Sequence, residues 1–491
     1  MKIIKRDFAL LTCFYLIAVS IRLSINFSTE FIPGANGAFY LSNVRSIIES
    51  GELLFKDFPL IFYLEAMLAK LFIVFGLADI EKAIDLACRL FDSLIPPLSI
   101  IPAYLLTRRL IKPDKNKLAV IIIASSSVLF ISFLMLVSDF QKNSLGLFWL
   151  FSLMLFVHKS LSSKRSFDYF ITLLLFLLAG LTHFGSFLVA ILYSIIVLFV
   201  KNTFGKKISI KPIIITALLV IISYIIILLI SPSRLNTAFD FIFNMFRNPV
   251  IILFLQKKPV ISPIDLISMV LINLTAITAL TFYIKRFDEL SDINKVFFLS
   301  SIIASLALAF PFLGIEWFQR LNFMSYVPAV SILPFILESI KHGKAKNVFL
   351  ILIAAVIIFS ILIRINIKTV SNINKEQYSE LELMKEKLPN DGSVLIVARH
   401  GLEWWASYIM RRTVIREAAL EKIYWDRFNY LLIIVQKKGK APFGPIGLFG
   451  YPFREPLLPD NSELIYSGKY FDLFWSKTPP ADVSVFKNEL H

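Results

Sequence analysis

Eleven apolar stretches recur along this chain, most of them about 20 residues long and two, from Asp168 and Phe184, about 15 to 17; a helix needs about 20 such residues to cross the hydrocarbon core of a bilayer. They begin near Phe8, Leu90, Leu118, Ser144, Asp168, Phe184, Pro212, Pro263, Val296, Leu321 and Val348. Lipid offers no partner to a bare N–H or C=O, so such runs are expected to be helices whose backbone bonds close internally. Composition agrees. Hydrophobic residues make up 57% of the 491 and charged residues only 18%, with 47 phenylalanines. A soluble chain runs nearer to about 25% charged, and one soluble core could not hide this much apolar surface. The expected architecture is a polytopic α-helical membrane protein with about eleven transmembrane helices.

The net charge of +16 would suggest nucleic acid as a partner in a soluble protein. Here the basic residues outside the tail cluster in short loops, which is a topology signal, and nucleic acid is not expected. The clusters are Lys2/Lys5/Arg6, Arg108/Arg109/Lys112/Lys115/Lys117, Lys159/Lys164/Arg165, Lys201/Lys206/Lys207/Lys211, Lys285/Arg286/Lys295 and Lys341/Lys344/Lys346. Placed on the cytoplasmic side, they put the N-terminus inside and the turns at 138–143 and 315–320 outside. The apolar run Phe58–Leu77 would invert every later cluster if it crossed. It also carries Glu65 and Lys70. It is therefore read as an outer-face helix, one of the amphipathic segments at about 38–77. MKIIKRD precedes the first run, no small-residue cleavage site follows it, and that run is read as a retained span. The chain is expected in a cell membrane, with the part after the last span extracytoplasmic.

From about Lys368 the pattern changes. Val394–Ala398, Thr413–Arg416 and Tyr430–Val435 read as strands, with helices over His400–Met410 and Ala418–Asn429, and 465–477 closes the sheet. Strands alternating with short helices imply a small, partly parallel α/β domain. The expected division is 1–367 in the membrane and 368–491 as a soluble domain. Cys13 and Cys88 form no disulfide framework or CxxC metal site.

Ionisable groups at membrane depth or at its rim are the candidates for chemistry. Asp57 lies between two helices just before Pro59, where a turn role competes. Asp139, in the turn Ser138-Asp139-Phe140-Gln141-Lys142-Asn143, could orient a hydroxyl, hold a metal or cap the next helix. His183 sits in the turn Thr182-His183-Phe184-Gly185-Ser186, where a structural role is the commoner one. Arg320 could hold a phosphate with its planar fork, or pair with Glu316 one turn away. Arg234 and Arg247 flank another outer loop and suit anionic lipid heads. Phe39, Val44, Ile47 and Ile48 form one face of a helix, with Arg45 and Glu49 placed off it. Trp404 and Trp405 suit core packing or a partner interface. No P-loop, dinucleotide fingerprint, HExxH or GxSxG motif is present.

The layout resembles the GT-C superfamily of polyprenyl-phosphate-sugar glycosyltransferases over roughly Met1 to Lys368. It rests on a basic N-terminus, one span, a long outer segment with amphipathic helices and a Pro59-Leu60-x-x-Tyr63-Leu64 stretch. A span then ends Tyr104-Leu-Leu-Thr-Arg-Arg109, and an outer acid follows the next span. The resemblance implies a sugar donor linked to a lipid phosphate, transfer at the outer face, and an outer acid acting as base or metal ligand. The cofactor stays open, a divalent metal being compatible, and the acceptor is unknown. It implies Asp57 and Asp139 as acids, Asn36 and Tyr40 shaping the acceptor site, Arg320 on the lipid phosphate, and His183 and Glu316 lining the cavity. Asn36 stands where relatives carry an acid, and an amide is no base at neutral pH. Two rivals stand beside this. A transporter or flippase predicts symmetric halves and broken helices at the midplane. A non-catalytic assembly protein would explain Asn36 directly.

Overall fold

A computed structural model describes residues 5–111, 117–163, 165–204, 211–230, 232, 239, 243–256, 262–390, 393–416, 420–437 and 455–479. The eleven apolar runs are largely helical, those from Leu90 and Leu118 each being divided between two helices. In chain order the helices up to the last of these runs are α1 (Lys5–Asn26), α2 (Gly37–Ser50), α3 (Leu60–Val74), α4 (Ile80–Leu94), α5 (Ile100–Leu110), α6 (Lys117–Leu129), the short α7 (Ile131–Leu134), α8 (Gln141–Ser163), α9 (Ser166–Thr182), α10 (Phe184–Thr203), α11 (Lys211–Ile230), α12 (Val250–Leu255), α13 (Pro263–Lys285), α14 (Asp292–Leu308), α15 (Ile315–Ser339) and α16 (Gly343–Asn366). Among the described residues eight helices are long and apolar enough to cross a membrane, α4 joining α5 in one of them and α6 joining α7 in another. The runs in α9, α11 and α14 fall short of that length over their described parts. The chain is a multi-pass membrane protein.

The chain divides into two compact units. The first comprises 1–24, 55–64 and 90–368, and the second 25–54, 65–89 and 369–491. In the first, α15 is central, with 89% of its apolar window buried, whereas α16 has only 22% buried. The exposed side of α16 is a row of large apolar residues, among them Ile351, Leu352, Ile358, Phe359 and Leu362. That is a surface suited to lipid rather than water. Local chemistry sets the helix ends. Pro96 and Pro97 break α4 from α5 through one 3₁₀ turn. Ser262 caps α13 by accepting the Ile264 N–H, with Pro263 in the first helical position. Pro328 and Pro334 lie inside α15, where packed neighbours in a membrane domain tolerate them.

The second unit contains a five-stranded sheet of order β2-β1-β3-β5-β4, with β1 at Val394–Ala398, β2 at Thr413–Arg416, β3 at Tyr430–Gln436, β4 at Ser462–Ser467 and β5 at Phe471–Ser476. β1 pairs in parallel with β2 and β3, and β5 runs antiparallel to β3 and β4. All five residues of β1 are buried, as a central parallel strand requires. Leu395, Val397, Leu420, Leu431 and Ile433 make the core on one face. The expected closing element is a hairpin of two strands, and the helix expected over 418–429 is described only at Ile423–Arg427. The Gly- and Pro-rich stretch at 438–454 lies outside the described residues. A helix at Lys375–Lys385 (α17) starts with a capping box of Asn374 and Gln377, and Leu402–Met410 (α18) follows β1 through Gly401 at φ +85°. Trp405 is core, its ring 5.4 Å from that of Phe31, while Trp404 lies 4.8 Å from Phe39.

Arg45 departs from its expected place on the polar side of α2. It is buried, with its guanidinium 3.5 Å over the Tyr408 ring. It also donates to the Tyr408 carbonyl and pairs with Glu81. Burial pulls its pKa below the ordinary arginine value. An amphipathic reading marks both sides of such a helix but not that α18 covers the polar one.

Glu380 of α17 ties down the β4–β5 hairpin. Its carboxylate accepts the N–H groups of Tyr470 (2.9 Å) and Phe471 (2.7 Å). Glu380→Ala is expected to cost about 1–3 kcal/mol, because a buried N–H would lose its acceptor. Hydrogen exchange at Tyr470 and Phe471 should accelerate ahead of β1 and β3; unchanged protection there would refute this.

Candidate functional site

The first unit gathers its buried charges around the connection from α6 to α8. α6 stops at Leu129, Phe130 turns extended, α7 makes a single turn, and the chain re-enters a helix at Gln141. Between them Ser138 adopts φ +70°, a left-handed conformation that costs a non-glycine residue about 1–2 kcal/mol. Asp92 holds this turn. Its Oδ2 accepts the Ser138 N–H at 2.9 Å, and its Oδ1 pairs with Arg22 Nη2 at 2.6 Å. Arg22 also donates to the Asp92 carbonyl (2.8 Å) and to Ser144 Oγ (3.0 Å), with its guanidinium 4.9 Å from the Phe133 ring. Arg364 of α16 donates to the Leu134 carbonyl at 2.9 Å. Every charged group of this frame is inaccessible to water. Its local function is to fix the turn that carries Asp139 and Lys142.

Asp139 is buried at 3% exposure. Lys142, the second residue of α8, forms an ion pair with Asp57. The other Asp57 oxygen, Oδ1, accepts the Phe58 N–H at 2.8 Å, so the turn role expected before Pro59 is real. Both members of the pair are buried, and the Lys142 ammonium lies 5.7 Å from the Phe62 ring. Gln141 is fully buried with neither atom of its carboxamide bonded to protein.

The other expected site residues fall in different settings. His183 caps α10, its Nδ1 accepting the Ser186 N–H at 3.3 Å, which is the structural role weighed for it. Arg320 is exposed, with its guanidinium 5.6 Å from the Trp317 ring. The Glu316 side chain and Arg234 lie outside the described residues. Asn36 and Tyr40 belong to the second unit, Asn36 preceding α2 and Tyr40 buried at 2% exposure.

Sequence reasoning passed over Lys142, Asp92 and Asp265. Lys142 carried a signal, being a lysine in an outer turn where the charge rule expects few. Asp265 carried another, as an acid in the first turn of an apolar helix. It is 3% exposed, and its carbonyl accepts from Asn322 Nδ2 at 3.1 Å. Gln319 lies beside its carboxyl, although Gln319 Nε2 completes no hydrogen bond of ordinary geometry. Among the described residues no group of three or more His, Cys, Asp or Glu side chains is placed to hold a metal.

No family model and no curated protein matches the sequence, but solved structures do. An oligosaccharyltransferase of Archaeoglobus fulgidus, in complex with Zn and sulfate, aligns with a TM-score of 0.54 at 13% identity over 85% of this chain and 67% of its own. AglB from the same organism, in complex with an inhibitory peptide and a dolichol-phosphate, gives 0.53 at 12% identity over 87% and 69%. ArnT of Cupriavidus metallidurans, bound to undecaprenyl phosphate, gives 0.51 at 10% identity over 96% and 99%. At such identities the likeness is one of fold, and both kinds of neighbour are GT-C glycosyltransferases. The alignments cover most of the chain with its polytopic helical part: this chain has the GT-C fold.

Proposed function

We propose that the protein is a membrane glycosyltransferase that moves a sugar from a polyprenyl-phosphate donor to an acceptor at the outer face of the membrane. The observation that carries this is the pairing of a GT-C fold with a held turn in which Asp139 stands three residues before Lys142, whose ion-pair partner Asp57 belongs to the same unit. The neighbours bound to dolichol-phosphate and undecaprenyl phosphate support the donor class. A lipid-linked donor stays in the bilayer, so its reacting end is met at the interface, where this turn lies in the positive-inside topology. That topology places the N-terminus in the cytoplasm and residues 368–491 outside.

In the proposed reaction an acceptor X–H attacks the anomeric carbon. The bond from that carbon to the phosphate oxygen breaks, and the lipid phosphate leaves with the electron pair. The acceptor proton passes to the Asp139 carboxylate, the general-base role. Asp57, engaged by Lys142, positions rather than accepts. Arg320 offers its guanidinium to the phosphate, with His183 and Glu316 as lining residues.

The test is transfer of radiolabelled hexose from a polyprenyl-phosphate-hexose donor by purified protein in nanodiscs, with membrane glycolipids and peptides offered as acceptors. Label should move to an acceptor and release free polyprenyl phosphate in equal amount. A wild-type protein that binds the donor but transfers to nothing offered favours the non-catalytic rival.

A further inference from the structure

The first unit holds a second group of buried polar side chains, none of which the reaction above uses. Asp265 lies in the first turn of α13, and Gln319 and Asn322 lie one turn apart on one side of α15. They are 3%, 4% and 0% exposed. Asn322 Nδ2 donates to the Asp265 carbonyl at 3.1 Å, and Gln319 stands beside the Asp265 carboxyl. These contacts use little of what the three groups offer. Asn322 Oδ1 and Gln319 Nε2 have no hydrogen-bond partner. Among the described residues no basic group pairs with the Asp265 carboxylate. The hydroxyls one turn further along α13 are engaged with each other, Ser268 meeting Ser132 of α7 at 2.8 Å. A buried polar atom without a partner is costly, and an unpaired buried carboxylate is more so. Three such groups in one place call for a ligand that completes them.

We propose that Asp265, Gln319 and Asn322 form the subsite that holds the sugar of the lipid-linked donor by its ring hydroxyls, an inference that rests on the glycosyltransferase reading. The chemistry of the group selects this ligand. Its open positions are acceptors on Asp265 and Asn322 and a donor on Gln319. A hydroxyl both donates and accepts, so neighbouring hydroxyls of one sugar ring satisfy all three. A phosphate would bring negative charge to a buried carboxylate that has no cation to offset it. A divalent ion needs more oxygen ligands than one carboxylate and one carboxamide supply. The depth of the group agrees. Asp265 and Asn322 are the third and eighth residues of their helices. Both helices begin at the outer face in the positive-inside topology, which puts the group within about 10 Å of that face. The residue after Gln319 is Arg320, to which the donor phosphate is assigned, and in such a donor the sugar ring is bonded directly to its phosphate. Because the three side chains are shielded from water, a ligand hydroxyl that is missing or misplaced leaves them unpaired, which makes the subsite selective.

The experiment compares the affinity of the purified protein for undecaprenyl phosphate with that for undecaprenyl-phosphate-glucose, -mannose and -galactose, by native mass spectrometry, and records the melting temperature of each variant. At least one hexose should raise the wild-type affinity about tenfold over the bare lipid phosphate. Gln319→Met and Asp265→Asn should each erase that increment while binding of the bare lipid phosphate stays within about twofold. Gln319→Met keeps the side chain's length and removes polar atoms that lack partners, so its melting temperature should equal or exceed that of the wild type. A lower one would mark Gln319 as a packing residue and overturn its role. A hexose increment that survives in both variants would overturn the inference and leave the glycosyltransferase reading intact. So would a wild type that transfers hexose yet binds no hexose-bearing lipid more tightly than the bare one; the group would then hold ordered water only. A wild type that binds neither kind of lipid would overturn both.

Discussion

Asp139→Asn is expected to lower the turnover rate for sugar transfer by about 10²–10⁴-fold, the range that a positioned general base contributes. Donor affinity should stay within a factor of about two, because a base acts on the proton moving in the transition state. The substitution changes one oxygen to nitrogen in a turn whose geometry is held by other groups. Ser138 keeps its acceptor on Asp92, and α8 keeps its first residues. Asp57→Asn should behave differently. It removes a buried counter-ion of Lys142, so a lower melting temperature should accompany any loss of rate. Full activity in Asp139→Asn, with loss confined to Asp57→Asn, would transfer the base to Asp57.

The second large effect concerns stability. Arg22 and Asp92 have fully buried side chains 2.6 Å apart. Removing either alone, by Arg22→Ala or Asp92→Ala, is expected to cost about 3–5 kcal/mol, since the remaining ion is stranded out of water. The Arg22→Met/Asp92→Leu pair strands no charge and should recover most of that. It should stop about 1–3 kcal/mol short of wild type, because the Ser138 N–H loses the acceptor that supports its left-handed turn. Thermal unfolding in one detergent, followed by helical circular dichroism, separates the cases. A double variant as unstable as the singles would show that the turn, rather than the charge pair, is what the frame protects. The same double variant should lose transfer activity beyond its loss of stability, since the turn carries Asp139 and Lys142.

The run of apolar segments was enough to place this chain in a membrane as a helical bundle. Only helices and closed barrels satisfy their backbone hydrogen bonds in lipid, and unbroken apolar runs of this length are not the short alternating strands of a barrel, so composition and length settle class. The strands Val394–Ala398 and Tyr430–Val435 were equally legible, because buried parallel strands read as unbroken apolar runs, and the short strand Thr413–Arg416 was placed beside them. Sequence also marked Asp57 and Asp139 as unusual, since charge is rare in such a chain. It could not say what they face. The ion pair of Asp57 with Lys142 joins residues 85 positions apart, and that of Arg22 with Asp92 spans 70. Local propensity and periodicity carry no information over such separations. Arg45 shows the same limit from the other side. Its position on α2 suggested water, and the packing of α18 gave it an aromatic face and a carboxylate instead. What tertiary structure alone decided is which charge neutralises which, because a buried ion is tolerable only next to its partner and the fold chooses that partner.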